Sequence, residues 1–351
     1  MRRYTGMKKV FGGCAWLCIT ALCLTSCRDD DPEAMTVTPV TEELQLLVSV
    51  PDAGADKRNI GDPGEGVQEG ADWDRLAIIV AYADGSDVIL PEGSKVMVAE
   101  LSKEDFDKLP DYDTGGNVKR LTLNAQPGTV YIYGVTYSSD AANSPSASIA
   151  ACRDKSAVEA LAISNSYAST GVNTIDYEKF LSVATGYYYE TDVKTPASFE
   201  IKETGTSEVG KIPAMTLIRL ASKIDIQWDA EDAYTAGYTD VKVTGFQYKG
   251  TVAGYLFPGL THASAQTGNS WDFYNKSDIS QRNGRTYHYT FTDGITKPNV
   301  KFNITATLTA AGQVSKDYTM SFSNPLKQAA WYKVNTTIRG FNNDGSITVS
   351  N

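Results

Sequence analysis

Residue types that carry out acid–base or metal chemistry are scarce in this sequence. His262 and His288 are its two histidines, and neither has a second metal-ligand type close to it in sequence. Adjacent acids such as Glu231-Asp232 have the composition of a general acid and base, and Asp111–Asp113 offers oxygen ligands that suit calcium. Paired acids arise by chance in a chain with 42 acidic residues, and no HExxH, CxxC or nucleophile-elbow motif occurs. We predict a protein that is not an enzyme and has no metal and no cofactor.

Cys27 offers a more specific chemistry, which is covalent lipid attachment. It ends the segment Leu24-Thr25-Ser26-Cys27, which resembles a bacterial lipobox, where a peptidase cuts before the cysteine and the thiol is acylated. A basic N-terminus and a mostly apolar stretch precede it, as in a signal peptide. The acidic run that follows resembles a surface-export signal of bacterial lipoproteins. We predict lipidation at Cys27; the alternative is an ordinary secretory signal with a chance cysteine.

The dibasic pair Lys57-Arg58 could be the target of a protease. It lies in the segment 51–66, which is rich in Gly, Pro and Asp and has almost no core-forming residues. Exposed loops of this composition are preferred sites of cleavage. We predict a cut after Arg58, with Lys57 as the second choice; the alternative is an uncut surface pair.

The residues before this loop are predicted to form a strand that such a cut would separate from the rest of the chain. Leu44, Leu46, Val48 and Val50 alternate with polar Gln45 and Ser49, which predicts a half-buried β-strand. Removal of a strand from a sheet leaves unpaired backbone groups and an empty apolar groove, and another strand can fill that groove. We therefore predict that Leu44, Leu46, Val48 and Val50 form a strand-exchange segment.

Composition limits the class of protein and of partner. The chain has 351 residues, of which 42% are hydrophobic, and a net charge of −10 that argues against nucleic acid. Cys14, Cys18 and Cys23 would leave with the signal peptide, so Cys152 is the remaining thiol beside a lipidated Cys27. We expect no internal disulfide in the mature monomer and predict that Cys152 is a buried small hydrophobe rather than a reactive thiol.

Apolar runs separated by turn signals predict an all-β protein built from β-sandwiches. Ser102 and Asp154 precede helical patterns and are predicted N-caps of short helices. The polar segment Lys202–Ser207 is the candidate domain boundary. The predicted organisation is a signal peptide and lipobox at 1–27, a tether at 28–43, an N-terminal β-sandwich domain with a removable first strand and short helices at 44–205, and a C-terminal β-sandwich domain at 206–351.

The start of the second half has a strict alternation. The segment Thr216–Trp228 predicts one strand with two faces. We expect Ile218, Leu220, Ile224, Ile226 and Trp228 to face the core and Arg219, Lys223, Asp225 and Gln227 to face solvent.

Four features occur in this order along the chain. They are the lipobox at Cys27, the strand–loop–strand unit Leu44–Val80 around the dibasic pair, the segment Leu217–Ile226, and the segment Trp331–Gly340, which reads WYKVNTTIRG. As an ordered set they resemble the fimbrillins of Bacteroidales, which are type V pilins. The last two features look like the RLVAKI and YKVNVTIKG segments of that family.

The resemblance implies two transthyretin-like β-sandwich domains and export as a surface-exposed lipoprotein of the outer membrane. It also implies cleavage after Arg58, after which the groove accepts a strand from another subunit of a fimbrium. The partners are then other pilus subunits and a host or bacterial surface ligand. Shaft subunits of the family carry a C-terminal donor extension, whereas only about ten residues follow Gly340 here, which favours a tip or accessory role.

An alternative function is that of a monomeric surface lipoprotein that binds a glycan. Trp271, Phe273 and Tyr274 are aromatic side chains of the kind that contact sugars. A pilus subunit predicts SDS-resistant oligomers after cleavage. A glycan-binding monomer predicts an intact chain that a polysaccharide column retains and that Trp271→Ala releases.

Overall fold

The computed structural model describes residues 41–51, 73–88, 90–112, 118–141, 143–164, 181–190, 195–203, 212–251, 253–258, 260, 267–274, 283–308, 312–339 and 345–350. Within these ranges the chain is mostly β-strand with a few short helices. The all-β class predicted from the sequence is therefore confirmed.

Strands and short helices alternate in the first half of the chain. Its strands are β1 (Glu42–Ser49), β2 (Arg75–Tyr82), β3 (Val96–Ser102), β4 (Val118–Ala125), β5 (Gly128–Tyr137), β6 (Ala162–Ser164), β7 (Ala184–Tyr187) and β8 (Phe199–Ile201). Its helices are α1 (Lys103–Asp107), α2 (Ser146–Ala150) and α3 (Lys155–Glu159). The two predicted caps are confirmed, because Ser102 Oγ accepts from the Asp105 N–H at 3.1 Å and Asp154 Oδ1 accepts from the Ala157 N–H at 2.8 Å.

The second half is richer in long strands. Its elements are β9 (Ala214–Thr216), β10 (Ile218–Arg219), β11 (Ser222–Asp229), α4 (Glu231–Thr235), β12 (Tyr238–Thr251), β13 (Ala253–Tyr255), β14 (Thr267–Tyr274), β15 (Asn283–Thr290), β16 (Asn299–Leu308), β17 (Gly312–Ser321), β18 (Trp331–Ile338) and β19 (Gly345–Ser350). β18 and β19 pair antiparallel from Ile338↔Gly345 to Lys333↔Ser350.

Two sheets form the first sandwich. Sheet A has the strand order β4-β1-β9, and sheet B has the order β10-β7-β5-β2-β3, with β8 also paired to β5. Alternate residues of β2 face this core, and the residues between them face a second cluster on the other side of sheet B. The fully apolar run of β2 is thus explained by burial on both faces.

Two four-stranded sheets form the second sandwich. Sheet C has the order β15-β11-β18-β19, and sheet D has the order β14-β12-β16-β17. Ile224 and Val334 from sheet C pack in one buried cluster with Val243 and Val300 from sheet D. The predicted alternation of β18 is confirmed, since Tyr332, Val334, Thr336 and Ile338 are buried.

A third apolar cluster joins the two sandwiches. It combines Ile149 of α2 and Val158 of α3 with Phe257 and Tyr289 from the second half. The short strands β6 and β13 also pair with each other across the two halves. This layer covers the side of sheet B that faces away from β1.

The prediction of a single strand over Thr216–Trp228 is wrong. The structure divides the segment into the end of β9, then β10 and β11, which lie in sheets A, B and C. Ile218 is exposed, and Arg219, Lys223 and Asp225 are buried, so four of the predicted facings are reversed. The chain changes sheets twice in this segment. In addition, the face of β11 that was expected to contact solvent is covered near the start of the strand, because Tyr289, the cross-strand partner of Lys223, belongs to the apolar layer between the sandwiches.

The domain boundary at 205/206 stays a prediction. β9 and β10 follow it in sequence and pair with β1 and β7, which belong to the sheets of the first sandwich.

Candidate functional site

β1 is the central strand of sheet A. It pairs antiparallel with β4 over its whole length, from Glu42↔Ala125 to Ser49↔Val118. On its other edge it pairs parallel with β9, from Leu47↔Ala214 to Ser49↔Thr216. Both edges of β1 are therefore hydrogen-bonded near its C-terminal end, and its loss would unpair two strands at once.

The inner face of β1 is deeply buried. Leu44, Leu46 and Val48 are at most 2% exposed and lie in the core of the first sandwich, and Val50 packs against that core from a half-buried position. Three fully buried aliphatic side chains contribute roughly 1.5–3 kcal/mol each, or about 5–9 kcal/mol together, before ordering costs. A domain of typical stability, about 5–15 kcal/mol, would not easily lose such a strand without a replacement.

The parallel neighbour of β1, which is β9, was not predicted from the sequence. The Leu47 N–H donates to the carbonyl oxygen of Pro213 at 2.9 Å, and the Leu217 N–H donates to the carbonyl oxygen of Ser49 at 2.8 Å. Met215 and Leu217, which are buried in the same core as β1, form one wall of the groove in which it lies. Their spacing of two residues directly after Pro213 is the signal that could have predicted a separate short strand.

The chain that resumes at β2 is firmly anchored. Trp73 is 5% exposed, packs edge to face on Phe106 with ring centroids 5.7 Å apart, and has the Lys103 ammonium over its ring. Asp74 accepts from the N–H and the hydroxyl of Ser139 at 2.7 and 2.6 Å. The sandwich downstream of the predicted cleavage loop thus has contacts that do not depend on β1.

The residues predicted to be modified or cut lie outside the described part of the chain. Cys27, Lys57 and Arg58 belong to the ranges 1–40 and 52–72, for which no structure is described. The predictions of lipidation and of cleavage therefore stay predictions. None of the helices described is long and apolar enough to cross a membrane.

Cys152 has the environment of a packed side chain. It is 5% exposed in the layer between the sandwiches, and its Sγ donates to the carbonyl oxygen of Ser148 at 3.4 Å. Burial raises the pKa of the Cys152 thiol to about 11, and Asp154 adds to this effect. A thiol with a raised pKa is a weak nucleophile at neutral pH, as expected for a structural cysteine.

The other candidates for chemistry are not brought together. The Asp111 carboxylate pairs with the Lys119 ammonium at 2.5 Å, and Asp232 pairs with the Arg339 guanidinium at 3.3 Å. His262 and Asp113 lie outside the described residues, and only the backbone of His288 is described. Across the described ranges no three His, Cys, Asp or Glu side chains are grouped in a way that could hold a metal ion.

The aromatic residues of the glycan-binding alternative lie on β14, an edge strand of sheet D. The structure describes the backbone of Trp271, Phe273 and Tyr274 but not their side chains. Trp271 opposes Tyr248 in the register of β12 and β14.

No protein-family model and no curated protein matches this chain. Among solved structures it is similar to one described as a "putative cell adhesion protein" from Parabacteroides distasonis ATCC 8503, with 12% identity, a TM-score of 0.53, and coverage of 89% of this chain and 97% of that one. The tip fimbrial protein Mfa3 from Porphyromonas gingivalis, solved with a C-terminal truncation, matches at 11% identity, with a TM-score of 0.44 and coverage of 88% and 98%.

The fimbrial anchor protein Mfa2 from Porphyromonas gingivalis matches at 9% identity, with a TM-score of 0.41 and coverage of 88% and 97%. At such low identity the likeness concerns the fold. This chain has the fold of the Parabacteroides cell adhesion structure.

Proposed function

We propose that this chain is a subunit of an adhesive cell-surface fimbrium that assembles by strand exchange. The observation that carries the proposal is the position of β1. It is a central strand with three core residues, yet the chain continues from it through residues 52–72, which contain the dibasic pair. The similar solved structure from Parabacteroides, described as a cell adhesion protein, supports the adhesive role.

In this proposal the chain is exported as a lipoprotein acylated at Cys27 and reaches the surface of the outer membrane. Cleavage after Arg58 then separates β1 from the sandwich. The vacated groove between β4 and β9 exposes unpaired backbone groups and the apolar surface formed by Leu76, Ile78 and Leu121, which lie in the same core as β1. A strand from another subunit occupies the groove, antiparallel to β4, with its apolar side chains at alternate positions.

The proposal assigns the chain a tip or accessory position rather than a shaft position. β19 already pairs with β18 over six residues within its own sandwich. To serve as a donor strand it would have to leave that sheet and give up this pairing. Acceptance of a strand is therefore better supported than donation.

The chain contains a matched control for the cleavage site. Lys119-Arg120 is the same dipeptide as Lys57-Arg58, but it lies in β4 and is paired with Val48 and Leu47 of β1. Proteases bind extended, accessible chain, so a hydrogen-bonded strand resists them. Limited digestion with trypsin should cut after Arg58, and Arg120 should stay intact as long as β1 or a replacement strand pairs with β4.

The experiment combines mass spectrometry of the N-terminus with electrophoresis in SDS without boiling. We expect a new N-terminus at Asn59 and, when fimbrial subunits of the same cells are present as strand donors, an SDS-resistant complex that contains this chain. Arg58→Ala combined with Lys57→Ala should abolish both, and Arg120→Ala should change neither. A cleaved chain that forms no SDS-resistant complex in the presence of the donor subunits, or a complex that persists in the double variant, would overturn the proposal.

A peptide competition tests the groove itself. A synthetic peptide of residues 41–51 should reduce the amount of this complex because it refills the groove from which β1 was removed. The same peptide with Leu46→Asp and Val48→Asp should have no effect, since two charges would enter an apolar core. Equal inhibition by the two peptides would show that the complex does not form through this groove.

The lipid anchor is tested separately. Cells grown with an alkyne-labelled palmitate should label the unprocessed protein, and Cys27→Ser should remove the label. Retention of the label in Cys27→Ser would reject lipidation at this residue.

A further inference from the structure

A concave cavity of about 850 Å³ lies among loops of the second half, and none of its lining residues belongs to β1 or to sheet A. Thr292 and Gly294 from the loop after β15 form one wall. Residues 321–328, which lead from β17 towards β18, form the other, and Pro258 closes one end. The volume falls in the range of small-molecule sites, roughly 300–1,000 Å³.

Lys327 is the one charged side chain among the described residues that line this cavity. Within the described part of the chain the Lys327 ammonium has no ion pair or hydrogen bond. The backbone N–H and carbonyl groups of Lys327, in contrast, are both hydrogen-bonded. Asp293 lies between two lining residues, but its carboxylate accepts from the N–H groups of Ile295 and Thr296 and from the Thr296 hydroxyl at 2.6–2.9 Å. The cavity therefore presents a positive charge on a protein whose net charge is −10.

The backbone that carries Lys327 is held from both sides. Its N–H donates to the Tyr332 hydroxyl at 2.8 Å, and its carbonyl oxygen accepts from the Ser222 hydroxyl at 2.6 Å. The next residue, Gln328, donates to the Thr185 hydroxyl at 2.9 Å and to the carbonyl oxygen of Ile218 at 3.2 Å. A loop fixed in this way presents its side chains with little ordering cost on binding.

The same loop contains backbone strain. Ala329 has a φ of +54°, a left-handed conformation that costs a non-glycine residue about 1 kcal/mol or more. Strained residues persist where the surroundings hold them, and they are common at binding sites. Ala329 lies two residues after Lys327, so its strain indicates that the loop carrying Lys327 has a defined shape.

The remaining lining residues define the ligand. Ser323 and Asn324 are exposed and offer a hydroxyl and an amide that can hydrogen-bond to neutral hydroxyl groups, whereas the amide N–H groups of Gln328 already donate to Thr185 and Ile218. Pro325 is half-buried and offers apolar surface, whereas Leu326 is 3% exposed and packs into the core of the second sandwich. A plain inorganic anion would use the lysine alone, whereas a sugar ring has hydroxyl groups for the polar lining and C–H faces for the apolar lining.

We propose that this cavity binds a carboxylate-bearing sugar, such as a uronic acid residue of an acidic polysaccharide. The sugar carboxylate pairs with the Lys327 ammonium, and the ring hydroxyls hydrogen-bond to Ser323 and Asn324. The site is separate from β1 and its groove, so it does not depend on strand exchange.

The test is a binding titration of the full chain with trigalacturonic acid, followed by NMR or by calorimetry at low salt. Lys327→Gln should weaken binding at least tenfold because it removes the pairing charge. Lys297→Gln is the matched control: Lys297 is also exposed and lies in the loop after β15, but it does not line the cavity. Ser323→Trp should block binding by filling the cavity, and thermal melts check that each variant is folded.

Other ligands and variants complete the design. Binding of neutral galactotriose with equal affinity, equal losses in Lys327→Gln and Lys297→Gln, or the absence of saturable binding would each overturn the proposal. Equal affinity for acetate would also overturn it, because the polar and apolar lining would then contribute nothing. Arg58→Ala should bind as the unaltered protein does, which separates this site from the proposed assembly mechanism.

Discussion

The backbone N–H of Leu217 lies 2.8 Å from the carbonyl oxygen of Ser49, to which it donates a hydrogen bond. Leu217 is the residue at which the chain passes from sheet A to sheet B, because Thr216 pairs with Ser49 and Ile218 pairs with Thr185. The end of β1 is therefore attached to the crossover between the two sheets. Stability of this crossover should affect how firmly β1 is held.

Gly186→Ala should destabilise the crossover. A Cβ at Gly186 would lie 2.4 Å from the carbonyl oxygen of Thr216, and a backbone atom in a paired strand has little freedom to move. We expect a loss of about 1–3 kcal/mol in the free energy of unfolding, as for overpacked sites, measured by urea denaturation. Gly134→Ala is the control: its Cβ would meet the flexible Met215 Sδ at 3.0 Å, so its loss should be smaller. Equal losses would contradict the explanation from the backbone clash.

Leu46→Ala should show how much β1 contributes to the sandwich. The side chain is 1% exposed in the first core, so its truncation removes buried area and leaves a cavity. We expect a loss of about 2–5 kcal/mol in the free energy of unfolding. Gln45→Ala, on the half-exposed opposite face, should change it by less than about 0.5 kcal/mol. A small effect of Leu46→Ala would mean that the groove holds β1 loosely.

Trp331→Phe should reveal the cost of removing one hydrogen bond to a buried carboxylate. The Trp331 Nε1–H donates to Asp225 Oδ2 at 3.0 Å, and Asp225 is fully buried. Phenylalanine keeps a ring beneath the Lys333 ammonium but removes the donor, so we expect a loss of about 1.5–3 kcal/mol. Lys333→Met removes only the exposed cation and should cost about 1 kcal/mol or less. A larger loss for Lys333→Met would show that the cation–π contact matters more than the hydrogen bond.

Cys152 should react slowly with a thiol reagent in the folded protein. With a pKa of about 11, about one thiol in a thousand is ionised at pH 8. We expect Ellman's reagent to label Cys152 only after guanidinium unfolds the chain. Rapid labelling of the folded protein would contradict burial.

The raised pKa of Cys152 also affects the stability of the fold at alkaline pH. The folded state holds the Cys152 proton more tightly than the unfolded state, in which the thiol has its ordinary pKa of 9.0. This contribution is constant below pH 9 and decreases as the pH rises towards 11. Cys152→Ala should flatten that part of the pH–stability curve.

Local features of the sequence predicted much of the first sandwich. The alternation of Leu44, Leu46 and Val48 was sufficient to place β1 with its apolar face in the core, because the side chains of a strand point alternately to its two faces. Ser102 and Asp154 predicted two helix starts, since a capping side chain bonds to an N–H only three residues away. Such interactions are contained within a few residues, so the sequence alone determines them.

The tertiary structure decided what covers each face and which strands are neighbours. Arg219, Lys223 and Asp225 alternate as solvent-facing residues do, yet they are buried because other layers of the molecule cover them. β1 lies beside β9, more than 160 residues further along the chain, because the chain changes sheets at Leu217 and returns to the first sandwich. A pattern of period two indicates that one face is buried; whether the other face is buried as well depends on contacts between distant segments, which no short stretch of sequence contains.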